Sequence, residues 1–168
     1  MFSCHRQKPT RVRKFLGMER TYAYRRKLPH CQWVDKVYFV TFSTRRREVL
    51  TPGARDIVLE TCLFGHGKLF ELHAAVIMPD HVHLLFTPLT DEDGLISIAE
   101  ILQAIKGAAA HRINKYLGRK ARVWQEESFD CAMREVENVR GKIEYVLGNP
   151  VRAGLVGNPF DYRWLWKE

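Results

Sequence analysis

The sequence predicts an α+β protein in which helices lie on one antiparallel sheet, and three observations support this. Segments dense in β-branched and aromatic residues alternate with stretches whose apolar residues recur at helical spacing. The two middle strand-like segments are joined only by Pro79-Asp80, a tight connection. The chain has 168 residues, 46% hydrophobic and 27% charged, enough for one domain with a core of its own.

Taken in order, Lys36 to Ser43 (KVYFVTFS) reads as the first strand. Thr51-Pro52 then supplies an N-cap followed by proline at the first helical position. From there to about Gly65, Ile57, Val58, Cys62 and Leu63 keep helical spacing. Phe70 to Met78 is the second strand and His81 to Thr87 the third. Ser97 opens a long amphipathic helix through Ile98, Ile101, Leu102, Ile105, Ala109 and Ile113, ending near Gly118. Val123 to Met133 is an irregular fourth strand, and a last helix runs from about Val136 to Gly148, stopped by Asn149-Pro150. The order strand, helix, strand, strand, helix, strand is that of a ferredoxin-like split βαβ sandwich with an antiparallel sheet of four to five strands and an extra C-terminal helix. Such a sandwich keeps its two main helices on one sheet face and leaves the other for a site. Many unrelated activities use this architecture, so function must come from particular residues.

The formal charge is +8, with 27 basic and 19 acidic residues, and it is unevenly placed. Residues 1–29 carry nine basic side chains against Glu19 alone, so the remaining body is neutral. Residues 1–20 are expected to be a basic, disordered leader and 21–168 a single domain, with Met18 as an alternative start. A basic arm on a neutral body suits a polyanionic partner, because each phosphate contact releases condensed counterions. No apolar run approaches the roughly 18 residues of a membrane span. Cys4, Cys31, Cys62 and Cys131 form no CxxC pair, which argues against a disulfide framework or a four-cysteine zinc site. A cytoplasmic, nucleoid-associated location is expected.

Two signals carry chemistry. In His81-Val82-His83, a strand would place both imidazoles on one face, about 6–7 Å apart at their Cα atoms. Two neutral imidazoles so placed can share a divalent ion, although a bare HxH also arises by chance. On the last helix, advancing about 100° per residue gathers Val139, Ile143, Val146 and Leu147 into one arc with Val136. Tyr145 then falls about 180° from Val136, with Asn149, Arg134, Asn138 and Lys142 on the same polar side. A surface tyrosine covering apolar stems is the bland reading; a phenol beside an amide and cations is the functional one.

Together the signals resemble the single-tyrosine HuH (IS200-like) transposases, in particular the REP-associated tyrosine transposase group. The likeness is carried by Arg25-Arg26-Lys27-Leu28-Pro29-His30, by Tyr38-Phe39-Val40-Thr41-Phe42, and by Val76 to Leu85 (VIMPDHVHLL). It continues through Val123-Trp124-Gln125, Ile143-Glu144-Tyr145-Val146 and Asn149 to Val156 (NPVRAGLV). It runs from about Tyr22 to the C-terminus. The resemblance implies that Tyr145 is the nucleophile on a catalytic C-terminal helix and that His81 and His83 bind Mg²⁺ or Mn²⁺. Asn149 would be a third, polar residue of the metal site, where many relatives outside this group have glutamine. The implied activity is metal-dependent cleavage and strand transfer of single-stranded DNA through a 5′-phosphotyrosine, at hairpin or repeat sequences, in transposition or a domesticated derivative of it. In some relatives the tyrosine helix serves the partner subunit's histidines, so a homodimer is possible.

The chemistry is coherent in its own terms. A phosphodiester repels nucleophiles until a divalent ion neutralises a non-bridging oxygen. A phenol is largely protonated near neutrality and needs an ion, cation or base to attack. Expected DNA-binding residues are Arg25, Arg26 and Lys27 in the arm, Arg112, Lys115 and Arg119 at a helix end, and Arg134, Lys142 and Arg152 near the tyrosine. The helix-end cluster could equally complement the helix dipole. Tyr116 and Tyr22 are weaker nucleophile candidates, and Trp164 and Trp166 suit packing of the tail better than base stacking. The rival reading is a non-catalytic nucleic-acid-binding module, which predicts aromatics exposed on the central strands as stacking platforms, with Phe39 and Phe42 as candidates.

Overall fold

The computed structural model describes residues 35–133 and 136–168. The expected leader lies outside the described residues, as do Arg25, Arg26, Lys27 and Arg134. The first strand, β1, spans Tyr38–Thr44, and a 3-10 turn follows at Arg45–Arg47. Helix α1 covers Pro52–Gly65, where the Thr51 side chain accepts a 3.2 Å bond from the Ala54 amide and proline stands in the first turn. Strands β2 (Phe70–Ile77) and β3 (His81–Pro88) form the central hairpin, and a small hairpin of β4 (Thr90–Asp91) and β5 (Gly94–Leu95) leads into α2 (Ile98–Tyr116). Ser97 and Glu100 close a capping box at the start of α2. Strand β6 covers Trp124–Ala132, α3 Val136–Leu147, α4 Asn149–Arg152 and β7 Leu165–Lys167.

The sheet order is β6-β1-β3-β2-β7 with every neighbouring pair antiparallel. The first four strands reproduce the split βαβ order, and β7 adds a fifth on the outer edge of β2. Fold class and the helix and strand order thus agree with the sequence. The hairpin β4–β5 and strand β7 were not anticipated. The Asn149-Pro150 pair also does more than stop α3: Gly148 interrupts the helix, and Pro150 stands in the first turn of α4, where its missing N–H is not needed.

Val40 and Phe42 of β1, and Val82, Leu84 and Phe86 of β3, meet Val58 of α1 and Ile101, Ile105, Ala109 and Ile113 of α2 in one buried layer. The opposite face is not left bare. Phe39, Ala74, Val76, Met78 and Leu85 form a second, smaller cluster with Val146 of α3 and Tyr162. A register shift in β2 between Leu72 and Ala74 resets the alternation, so Ala75 and Ile77 face the helices while Ala74 and Val76 face α3. The tail is stitched down by β7 on Ala74–Val76, by Trp164 Nε1 donating to Asp56 at 2.8 Å and by Tyr162 donating to the Ile77 carbonyl at 2.9 Å. Both late tryptophans therefore serve packing, with Trp166 against the His66 ring.

Candidate active site

The site is built on the α3 side of the sheet. Because β3 is paired with β1 in the register Ser43↔His81 and Thr41↔His83, both imidazoles emerge on the face that carries Phe39. Their ring centroids are 4.7 Å apart. Each ring is held at Nδ1: His81 by the Asp80 carboxylate at 2.6 Å, and His83 by the Thr41 hydroxyl at 2.7 Å. The tautomer that gives Nδ1–H to these oxygens would leave each Nε2 its lone pair, the arrangement that orients histidine ligands toward a metal.

His83 is only 7% exposed. Burial pushes its pKa down to about 3, helped by the positive neighbours His81, Arg152, Lys142 and Arg47. It therefore stays a neutral nitrogen donor far below physiological pH. For Asp80 burial works in the opposite direction, but the hydrogen bond and charge of His81, with Arg47, hold the carboxyl below its usual value. Arg47 reaches that carboxylate at 3.2 Å. It belongs to the turn after β1, where Arg46 (φ 54°) and Arg47 (φ 58°) both take left-handed backbone without being glycine. The Thr44 hydroxyl steadies the turn between the carbonyls of Glu48 (2.7 Å) and Asp80 (3.0 Å).

Tyr145 lies on the flank of α3 whose buried side is marked by Val146. Its ring is 45% exposed and meets the His83 and Phe39 rings edge-on, each at 6.3 Å. It is therefore not turned fully away from the sheet, as helical angles alone imply. Lys142 places its ammonium 5.0 Å from the Tyr145 ring centre, and Arg152 its guanidinium 4.4 Å from it. Arg152 also donates to the Tyr145 carbonyl. Gly148 permits this: a Cβ there would come within 2.6 Å of the Arg152 guanidinium. Asn149 turns its amide nitrogen back onto the helix, donating to the carbonyls of Tyr145 (3.1 Å) and Val146 (3.3 Å). Its oxygen remains the atom with which it could serve an ion. Among the described residues, no cluster of three His, Cys, Asp or Glu side chains is placed to hold a metal.

The structure thus brings together His81, His83, Tyr145, Asn149, Lys142 and Arg152. It separates Arg112, Lys115 and Arg119, which lie on or just beyond α2 across the sheet. There Arg112 is tied to Glu60 and Thr61, and Arg119 pairs with Glu48 at 3.8 Å. Tyr116 is in that layer too, its hydroxyl lying close to Gly53. Tyr22 lies outside the described residues. Phe39 and Phe42 are buried, at 6% and 1% exposure, so these two candidates cannot be the stacking platforms of the non-catalytic reading. Thr41, Asp80 and Arg47 were not anticipated. Asp80 had a signal, as the acidic residue next to the histidines, whereas Thr41 becomes visible only through the β1–β3 register.

Among the described residues no helix is long and apolar enough to cross a membrane. A relative from Escherichia coli (strain K12), described as a REP-associated tyrosine transposase, is 25% identical over 126 residues, covering 74% of this chain and 71% of the relative. A solved structure described as a REP-associated tyrosine transposase bound to a REP hairpin has the same fold, with a TM-score of 0.64 over 82% of this chain and 81% of that one at 22% identity. The family model for IS200-like transposases matches residues 31–144, a stretch that includes both histidines and ends one residue before Tyr145. That match spans more than half of the chain, and the chain belongs to the IS200-like transposase family.

Proposed function

We propose that the chain is a metal-dependent endonuclease and strand transferase for single-stranded DNA, acting through a 5′-phosphotyrosine at Tyr145. The observation that carries this reading is the half-exposed Tyr145 ring standing 6.3 Å from His83, whose own ring is 4.7 Å from His81. Tyr145 Oη attacks phosphorus, a P–Oη bond forms and the P–O3′ bond breaks. The phenol proton passes to solvent, and the released 3′ oxygen takes one up to become a hydroxyl. The 5′ phosphate stays in ester linkage to the chain, so an incoming 3′ hydroxyl can rejoin it by the reverse displacement. Lys142 and Arg152 flank the phenol with positive charge suited to the anionic strand.

The donor set fits a divalent ion. His81 and His83 would hold it through Nε2, with the Asn149 oxygen as a weaker third donor, and Asp80 and Thr41 would fix the two rings. Bound Mg²⁺ or Mn²⁺ would supply Lewis-acid neutralisation of a non-bridging phosphate oxygen. Two imidazoles suit the softer Mn²⁺ better than Mg²⁺, which prefers oxygen. The hairpin-bound relative makes a DNA hairpin with a single-stranded flank the first substrate to try. Transposition, or a domesticated derivative of it, is the wider role that this chemistry suits.

The test is denaturing electrophoresis after incubation with hairpin DNA labelled separately at each end. Wild type should give a shifted protein band with label only from the fragment 3′ of the cut. Tyr145→Phe should bind DNA and give no band, and Tyr116→Phe should behave as wild type. An adduct in Tyr145→Phe, one carrying the opposite fragment, or undiminished cleavage in EDTA would overturn the mechanism.

A further inference from the structure

Beyond the cleavage centre, we infer that Phe129 is a stacking platform for an unpaired nucleobase next to the scissile phosphate. This rests on the proposed single-stranded DNA chemistry at Tyr145 and adds a residue that positions the strand. Phe129 sits on β6, where the register Thr41↔Phe129 continues the register Thr41↔His83 on the other side of β1. Phe129, Thr41 and His83 therefore form one row across the sheet, all on the face that carries Tyr145. Neighbouring strands lie about 4.8 Å apart, so Phe129 stands about 10 Å from His83. That is the reach of roughly one to two nucleotides of single strand from a phosphate held at the histidines.

Phe129 is 59% exposed, an unusual position for a large apolar ring in the middle of a nine-residue strand. It is also connected to the site. Its ring meets Phe39 edge-on at 6.2 Å, and Phe39 in turn meets Tyr145 edge-on at 6.3 Å and stacks on His83 at 5.5 Å. Phe129 is thus braced on one side by a buried ring while more than half of it stays exposed, as a stacking platform needs. Charge selects what can lie there. The cations placed on this face, Lys142 and Arg152, lie by Tyr145 and not by Phe129. The backbone of a bound strand is drawn toward Lys142 and Arg152, and what is left to meet Phe129 is a base. A base has a π-face whatever its identity, so this contact orients the strand without reading its sequence.

The test measures affinity of the full chain for a DNA hairpin with a short single-stranded flank, each flank nucleotide in turn being replaced by an abasic site. Phe129→Ala should weaken binding by about ten-fold or more, and Phe129→Trp should restore it. One abasic position should cost the wild type a comparable factor and cost Phe129→Ala nothing further, a coupling that a merely structural role would not produce. Phe129→Leu keeps apolar cover over Phe39 and should still lose affinity, which separates stacking from folding. An abasic penalty equal in wild type and Phe129→Ala at every position overturns the platform and leaves the proposed cleavage chemistry standing. Failure of wild type to bind the hairpin overturns that chemistry and the platform with it.

Discussion

On the side of α1 and α2, Val40, Phe42, Val82, Leu84 and Phe86 are almost fully buried in a continuous apolar layer. On the other side their alternating neighbours Phe39, Thr41, His81 and His83 meet a smaller cluster, and the rings of Tyr145 and Phe129 stay open to solvent. Strand β3 serves both faces at once, with Val82 and Leu84 in the core and His81 and His83 in the site. The strand that carries the site is packed from behind on the larger core. Damage to either face should therefore separate cleanly into lost chemistry or lost stability.

The largest expected effect is on the open face. His81→Ala or His83→Ala should reduce DNA cleavage to background while costing only about 1–2 kcal/mol of stability, read by adduct formation beside thermal melting. A melt that collapses in His81→Ala would show that the two faces are not separable. On the closed face, Phe86→Ala should cost about 3–5 kcal/mol, visible as a lower urea midpoint, with residual cleavage following the folded fraction.

The third effect links the faces through pH. His83 has a folded pKa of about 3 against an ordinary 6.5, so between these values the unfolded chain binds a proton that the folded chain refuses. Stability in metal-free buffer should fall as pH drops through this window, by no more than a few kcal/mol, and level off below it. His83→Gln should flatten that slope; an unchanged slope would place the titration elsewhere. Smaller still, Asp80→Asn should weaken Mn²⁺ binding by about 10- to 100-fold through a less firmly oriented His81, with the melting temperature little altered.

The closed face was the more legible in sequence. Helical and strand periodicities expose Ile101, Ile105, Ala109, Val82 and Leu84 directly, because burial on one side repeats with the element's own period. His81, His83 and Tyr145 stood out as residue types in a pattern. Their meeting did not, since it depends on where α3 docks, and no local period encodes a docking angle. Thr41 and Phe129 were invisible for a related reason: both are defined by cross-strand register between segments far apart in sequence. Strand β7 is only three residues long and gains its identity from pairing with β2. Gly148 could be read as a helix breaker but not as the clearance through which Arg152 folds back over Tyr145.

The turn after β1 has a consequence for how durable this chain can be. Two successive arginines in left-handed backbone each carry a conformational cost of about 1–2 kcal/mol that glycine would not. Arg46→Gly should accordingly raise the melting temperature slightly, and Arg47→Gly less, since it also gives up the Asp80 contact. Thermostability engineered at Arg47 would come from removing a cation beside the histidine pair. A hardier protein and one that attracts a polyanion to His81 are, at Arg47, different proteins.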